Sequence, residues 1–191
     1  MRPSRSGRLF VISGPSGAGK STVIRSLLAK KPDVVLSVSD TTRPARPGEH
    51  QGAWYNFISR EGFLGKRDRG EYLESAEVYG HLYGTPREPV EHHLANGRDV
   101  LLEIDIQGAT MIKRAMPEAV LVFIEPPSLD ELSARLRGRG TEDPESLLKR
   151  MRASYDELKA KGTYDHIVVN DDVERASDEL ASILSSQGHN Q

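Results

Sequence analysis

Apolar residues fall along this chain in two alternating patterns. Residues 8–13 form a β-branched run that ends in a Gly-rich turn, and residues 99–105 and 119–124 are nearly continuous apolar runs. Unbroken runs of this length mark parallel strands covered on both faces. Residues 34–39 and 166–170 predict two further strands. Between the runs, apolar positions recur at helical spacing: in Lys20–Lys30, Val23, Ile24, Leu27 and Leu28 share one face. The same spacing predicts helices over residues 87–96, 107–115, 128–137, 144–161 and 173–186, with Ser128 and Glu131 forming a start signal for the third. Strand and helix in alternation predict an α/β fold with a parallel sheet flanked by helices.

Two stretches break the alternation. Residues 41 to about 87 are rich in Gly, Pro, Arg and Tyr, and the alternating Trp54-Tyr55-Asn56-Phe57-Ile58 predicts a small half-exposed sheet inserted into the core. Residues 138 to about 148 begin as a turn-like Gly138-Arg139-Gly140-Thr141 between two arginine-bearing helices, which predicts a short lid over an anion. The expected organisation is one domain over residues 1–191: a core of 8–40 and 88–186, the insertion, and the lid.

Composition narrows the chemistry. The 191 residues include no cysteine, which excludes disulfides, thiolate metal sites and cysteine nucleophiles. Lys and Arg total 26 against 28 Asp and Glu, a net charge of −2, so no global basic field draws nucleic acid or anionic membrane. No apolar run approaches the ~20 residues that span a bilayer, and no export signal is recognisable. A soluble, cytoplasmic protein without an evident obligate protein partner is expected, and its anion sites must be local.

Gly14-Pro15-Ser16-Gly17-Ala18-Gly19-Lys20-Ser21 matches the phosphate-loop pattern, and it lies where that pattern has meaning, after a predicted strand and before a predicted helix. Backbone N–H groups of such a loop turn around phosphate oxygens, and the helix that follows, here continuing through Thr22, points its positive end at them. Lys20 then neutralises the β- and γ-phosphates, and the Ser21 hydroxyl ligates Mg2+. A nucleoside triphosphate is the expected ligand.

The phosphate acceptor is suggested downstream. Ser37-Val38-Ser39-Asp40-Thr41-Thr42-Arg43-Pro44-Ala45-Arg46-Pro47-Gly48-Glu49, followed by Gly52 and Tyr55, resembles the signature of the bacterial guanylate kinase family. The resemblance continues from Leu9 to about Leu184 through Gly70-Glu71-Tyr72-Leu73-Glu74, Tyr83-Gly84-Thr85, Glu103-Ile104-Asp105, Arg135 to Thr141 and Val169-Asn170-Asp171-Asp172. Asp40 stands where the family usually has a small residue, and Ala45 where a Pro is common. The resemblance implies a P-loop NTPase core with a small inserted GMP-binding α+β subdomain and a short lid. It implies MgATP-dependent phosphorylation of GMP and dGMP, with Ser39, Arg43, Arg46 and Tyr55 on the GMP phosphate. Glu74, Tyr83, Thr85 and Asp105 would form the guanine pocket.

The residue chemistry suits that implication. Guanidinium forks grip phosphate, and guanine presents N1–H and a 2-amino group to carboxylates and O6 to a hydroxyl. Asp105, ending an apolar strand, could also order water around Mg2+. Arg135, Arg139 and Arg150 match the family's triphosphate clamp, with Asn170 a further ATP-side position. Two other readings share the fold: a kinase acting on a phosphorylated sugar, and a non-catalytic phosphopeptide-binding module. The first would not need the carboxylate pair, and members of the second often lack phosphate-loop features that Lys20 and Ser21 preserve here.

Overall fold

The computed structural model describes residues 6–137 and 144–186. Its larger sheet has the strand order β2-β7-β1-β8-β9, from Val35–Leu36 (β2), Val100–Glu103 (β7), Leu9–Ser13 (β1), Val120–Glu125 (β8) and His166–Val169 (β9). A second sheet has the order β4-β3-β6-β5, from Tyr55–Phe57 (β4), Ser39–Thr41 (β3), His81–Pro86 (β6) and Tyr72–Val78 (β5). The helices are α1 (Lys20–Lys30), α2 (Arg60–Asp68), α3 (Arg87–Ala95), α4 (Ile106–Ala115), α5 (Leu129–Arg137), α6 (Pro144–Leu158) and α7 (Val173–Ser186). Among the described residues, no helix is long and apolar enough to cross a membrane. By contact density the chain forms two units.

One unit comprises Phe10–Pro32, Glu103–Ile106 and the chain from Val120 onward. Here β1 and β8 pair in parallel, Phe10 opposite Val120 and Ser13 opposite Phe123, and β8 pairs in parallel with β9. Every residue of β1 is buried, as a strand covered on both faces requires. Helix α1 buries Val23, Ile24 and Leu27, the face expected from its spacing. At the start of α5 the Glu131 amide donates to Ser128 Oγ at 3.1 Å, the expected cap. The long helix expected over 144–161 instead ends at Leu158 and tightens into a 3-10 turn over Lys159–Thr163.

The other unit contains Asp33–Leu102 and Gln107–Ala119, with the segment ending at Leu9. Its first surprise is that the strand expected over 34–39 is two strands. Val35 and Leu36 pair in parallel with β7, and the Ser37 amide still donates to Leu101 O, but the Ser39 amide donates to Trp54 O in the second sheet. The chain changes sheets at Val38, so its alternation is shared between two partners. The second surprise is α2, which Gly62 and Gly65 conceal from propensity. Ser59 caps it by accepting from the Gly62 amide at 3.0 Å, and Phe63 is its one buried residue.

Phe63, Tyr72 and Leu82 form the small core of this second sheet, with Phe63 and Tyr72 stacked at 4.6 Å between centroids. The stack explains Gly84, where a Cβ would stand 3.0 Å from both rings. Beside it lies Asp40, fully buried, whose carboxylate accepts from Asn56 Nδ2 (2.9 Å), Lys66 Nζ (2.8 Å) and Tyr72 Oη (2.8 Å). Burial and the hydrogen bond to Asp40 push the Tyr72 phenol far above its ordinary range. The acid that departs from the family pattern is thus a structural hub joining β3, β4, α2 and β5. Asp40→Ala would leave three donors without their acceptor and is expected to cost about 3 kcal/mol. A fall of roughly 6–12 °C in the thermal unfolding midpoint would register it, whereas a shift below about 2 °C would contradict the hub role.

Candidate active site

The phosphate loop spans residues 14–19 between β1 and α1. Gly19 occupies the N-cap at φ 84°, a left-handed conformation that glycine adopts without strain, and a Cβ there would lie 2.4 Å from Asn170 Nδ2. Glycine is required twice over. It supplies no side-chain cap, and the first turn of α1 carries no acid, so the positive end of the helix is presented to the loop. Lys20 folds back, its ammonium donating to the carbonyls of Gly14 (2.6 Å) and Pro15 (3.1 Å). Ser21 Oγ donates to Glu103 Oε1 at 2.8 Å.

Neighbouring elements brace the loop from outside. Asn170, 2% exposed, donates through Nδ2 to Ala18 O at 2.7 Å, while its Oδ1 is buried without a hydrogen-bond partner among the described residues. Arg135 donates to Glu131 (2.9 Å) and to Asn170 O (3.2 Å), and its Nη1 lies 3.8 Å from where a Gly19 Cβ would stand. That places its guanidinium at the loop. Glu157 of α6 accepts from the Ser16 amide at 3.2 Å. Burial pushes its carboxyl above the ordinary range, helped by the charge of Asp105 and opposed by the Lys20 ammonium and the Ser16 amide. Arg139 and most of the expected lid lie outside the described residues, as does the side chain of Arg150; from Pro144 the chain is already in α6.

The expected acceptor residues gather on the second sheet because its registers bring them there. Ser39 faces Tyr55 across β3 and β4, Thr41 faces Tyr83 across β3 and β6, and Glu74 faces Thr85 across β5 and β6. The guanidinium of Arg43 lies 5.4 Å from the Tyr55 ring centroid, and the Tyr55 and Tyr83 rings meet edge to face at 5.9 Å. Arg43 donates to both carboxylate oxygens of Glu49 (2.8 and 2.9 Å) and to Pro44 O (2.7 Å), which takes three of a guanidinium's five N–H donors. Although burial favours its neutral form, the fork of Arg43 and the Arg46 amide hold the Glu49 carboxyl below its ordinary range. The Arg46 side chain is exposed.

Deeper in the sheet, Thr85 is fully buried and Glu74 is 4% exposed, and the Thr85 hydroxyl donates to Glu74 Oε1 at 2.6 Å. The threonine proton is therefore committed to the carboxylate in this structure and must rotate to meet any other acceptor. Two buried polar groups bonded to each other serve recognition better than stability. Asp105 lies in the unit that carries the phosphate loop, within electrostatic reach of Glu157 and Tyr164.

Three site neighbours escaped the sequence reading. Glu103 is the last residue of β7, two positions before Asp105, and a second acid closing an apolar run was a usable signal. Glu49 closes a turn on Arg46, its amide donating to Arg46 O at 3.0 Å, and the acid after two arginines was a usable signal. Glu157 carried none, since it reaches Ser16 across 141 positions.

A phosphate loop between a buried parallel strand and a helix, with a lysine, a hydroxyl and a brace of arginine and asparagine, defines a P-loop nucleotide-binding protein. The guanylate kinase family description matches residues 6–187. A guanylate kinase of Aromatoleum aromaticum is 47% identical over 93% of this chain and 87% of its own. One from Caldanaerobacter subterraneus subsp. tengcongensis is 46% identical over 98% and 91%. The crystal structure of guanylate kinase from Anaplasma phagocytophilum superposes with a TM-score of 0.83 at 36% identity, covering 98% of this chain and 89% of that one. The chain belongs to the guanylate kinase family.

Proposed function

We propose that this chain transfers the γ-phosphoryl group of ATP to GMP, giving ADP and GDP, with dGMP a weaker acceptor, and that the residues assembled above carry the reaction. The observation that carries the reading is the buried, hydrogen-bonded Glu74–Thr85 pair on the small sheet whose strand β3 leads directly into Arg43, in a chain that also bears a complete phosphate loop. A carboxylate with a hydroxyl is a reader for the guanine edge, and an arginine backed by tyrosines is a reader for phosphate.

Residues 14–22 hold the triphosphate of ATP, with Lys20 and Arg135 facing its charge and Asn170 bracing the loop. Ser39, Arg43, Arg46 and Tyr55 hold the phosphate of GMP. Glu74, Tyr83, Thr85 and Asp105 receive the base. A phosphate oxygen of GMP attacks the γ-phosphorus, the bond to the β,γ-bridging oxygen breaks, and ADP departs with that electron pair. Protein groups contribute alignment and charge neutralisation, because phosphoryl transfer asks for little covalent help. Arg139 and Arg150 add to that charge.

ATP-using kinases of this kind work with a divalent cation. The donor set fits Mg2+: the Ser21 hydroxyl touches Glu103, and Asp105 follows on the same segment, all hard oxygen ligands. When bound, the cation would neutralise β- and γ-phosphate charge. Ser21 would ligate it, and Glu103 and Asp105 would orient its water.

The test is a panel of acceptors with ATP and purified protein, reading ADP release. GMP should be used far faster than AMP, CMP or UMP. Absence of GMP-dependent turnover would overturn the reading. In the same assay, Arg43→Gln should raise the KM for GMP about 10- to 100-fold with a smaller loss of kcat, since it removes binding common to ground and transition states. An unchanged KM would take Arg43 out of the site.

A further inference from the structure

Two side chains of helix α6 hydrogen-bond to the backbone of Ser16 in the phosphate loop. Ser154 Oγ donates to Ser16 O at 3.3 Å, and Glu157 Oε2 accepts from the Ser16 amide at 3.2 Å. Ser154 and Glu157 are three positions apart on the helix and so share a face. Ser154 is fully buried. The Ser16 amide belongs to the peptide plane before its Cα and the Ser16 carbonyl to the plane after it. Holding both planes from one helix face fixes both soft dihedrals of Ser16. Further along, the Ala18 amide donates to Pro15 O within the loop (3.1 Å) and Ala18 O accepts from Asn170 (2.7 Å), so the backbone over residues 15–18 is tied both internally and from the end of β9.

We infer that Glu157 and Ser154 are positioning residues for the phosphate loop: they set the backbone conformation of Ser16, and with it the preorganised arrangement of amides that receives the triphosphate. This rests on the reading that residues 14–22 bind ATP. A carboxylate is a costly choice beside a triphosphate, because its charge opposes the ligand's. What it supplies in return is an acceptor at the right reach from α6, with the Lys20 ammonium nearby to offset a charge that the hydrogen bond itself does not require. Acceptor geometry, and not negative charge, is therefore the property the loop needs.

The variants separate these properties. E157Q keeps an acceptor at the same reach and loses the charge, E157D keeps the charge and shortens the reach by one methylene, and E157A loses both. Steady-state kinetics with ATP and GMP varied separately should show E157A with KM for ATP raised at least tenfold and kcat reduced severalfold. E157D should follow E157A, and E157Q should stay within threefold of the unmodified protein in both constants. S154A should raise KM for ATP two- to fourfold. KM for GMP should move less than twofold in all four. Thermal unfolding identifies any variant that fails to fold, and if E157A does, the contrast between E157Q and E157D decides. The inference is overturned if E157Q lies nearer to E157A or E157D than to the unmodified protein, if the weakened variants keep KM for ATP within twofold, or if KM for GMP rises in step. Normal GMP turnover with indifferent variants would sink this inference alone. An unmodified protein without GMP turnover would sink the functional reading and this inference with it.

Discussion

Lys20→Met is expected to lower kcat about a thousandfold while leaving the KM for GMP within a fewfold of its starting value. The lysine ammonium is a compact charge with three N–H donors, and in this structure it bonds to the carbonyls of Gly14 and Pro15 at the mouth of its own loop. It is thus held at the loop proposed to receive the phosphate oxygens. During transfer, charge moves toward the β,γ-bridging oxygen, and a cation fixed beside that path stabilises the transition state more than the bound substrate. Methionine keeps most of the length and none of the charge. A thousandfold corresponds to about 4 kcal/mol, the range seen when one preorganised electrostatic group is removed. Rapid single-turnover measurements at saturating ATP and GMP would separate this loss from product release. If Lys20→Met kept more than a tenth of the turnover, the main stabilising charge would have to be sought at Arg135.

The second large effect is selection of the base. The kcat/KM for GMP should exceed that for AMP by at least about a thousandfold, because adenine would set a lone pair against the Glu74 carboxylate and leave buried polar groups unmatched. Glu74 and Thr85 are both buried and already bonded at 2.6 Å, so neither can turn to solvent when the wrong base arrives. Glu74→Gln should narrow the preference by about 10- to 100-fold, corresponding to roughly 1–3 kcal/mol of recognition. The readout is the ratio of kcat/KM values for the two nucleotides in one preparation. A ratio unmoved by Glu74→Gln would assign base selection elsewhere on the sheet.

Several of these features could be read from the sequence because they are local. The phosphate loop, β1 and α1 declare themselves within 22 residues by glycine spacing, a buried run and helical periodicity. That Arg43, Tyr55 and Tyr83 lie close together was not legible, because it follows from strand registers rather than from spacing. Helix α2 was illegible, because Gly62 and Gly65 lower its propensity and only Phe63 is buried. The division of residues 34–39 between two sheets was hidden too, since alternation alone does not identify the partner strand. Asp40 read only as a departure from the small residue usual in the family, and its inward turn onto Asn56, Lys66 and Tyr72 was hidden. Contacts such as Glu157 with Ser16 depend on the fold being complete, and no local pattern encodes them.

The buried Asp40 has a consequence for how this sheet can change over generations. Its three donors come from β4, α2 and β5, so the carboxylate and its partners form one unit of inheritance. A drift to a small residue at position 40 strands a tyrosine hydroxyl and an ammonium, while a drift to phenylalanine at position 72 removes one of the bonds that make a buried charge tolerable. In this chain each step taken alone is expected to cost stability, and compensating changes at the partner positions to recover part of it. Positions 40, 56, 66 and 72 should therefore travel together among descendants of this chain, and grafting the aspartate by itself into a relative built around a small residue should damage the recipient more than it informs about the donor.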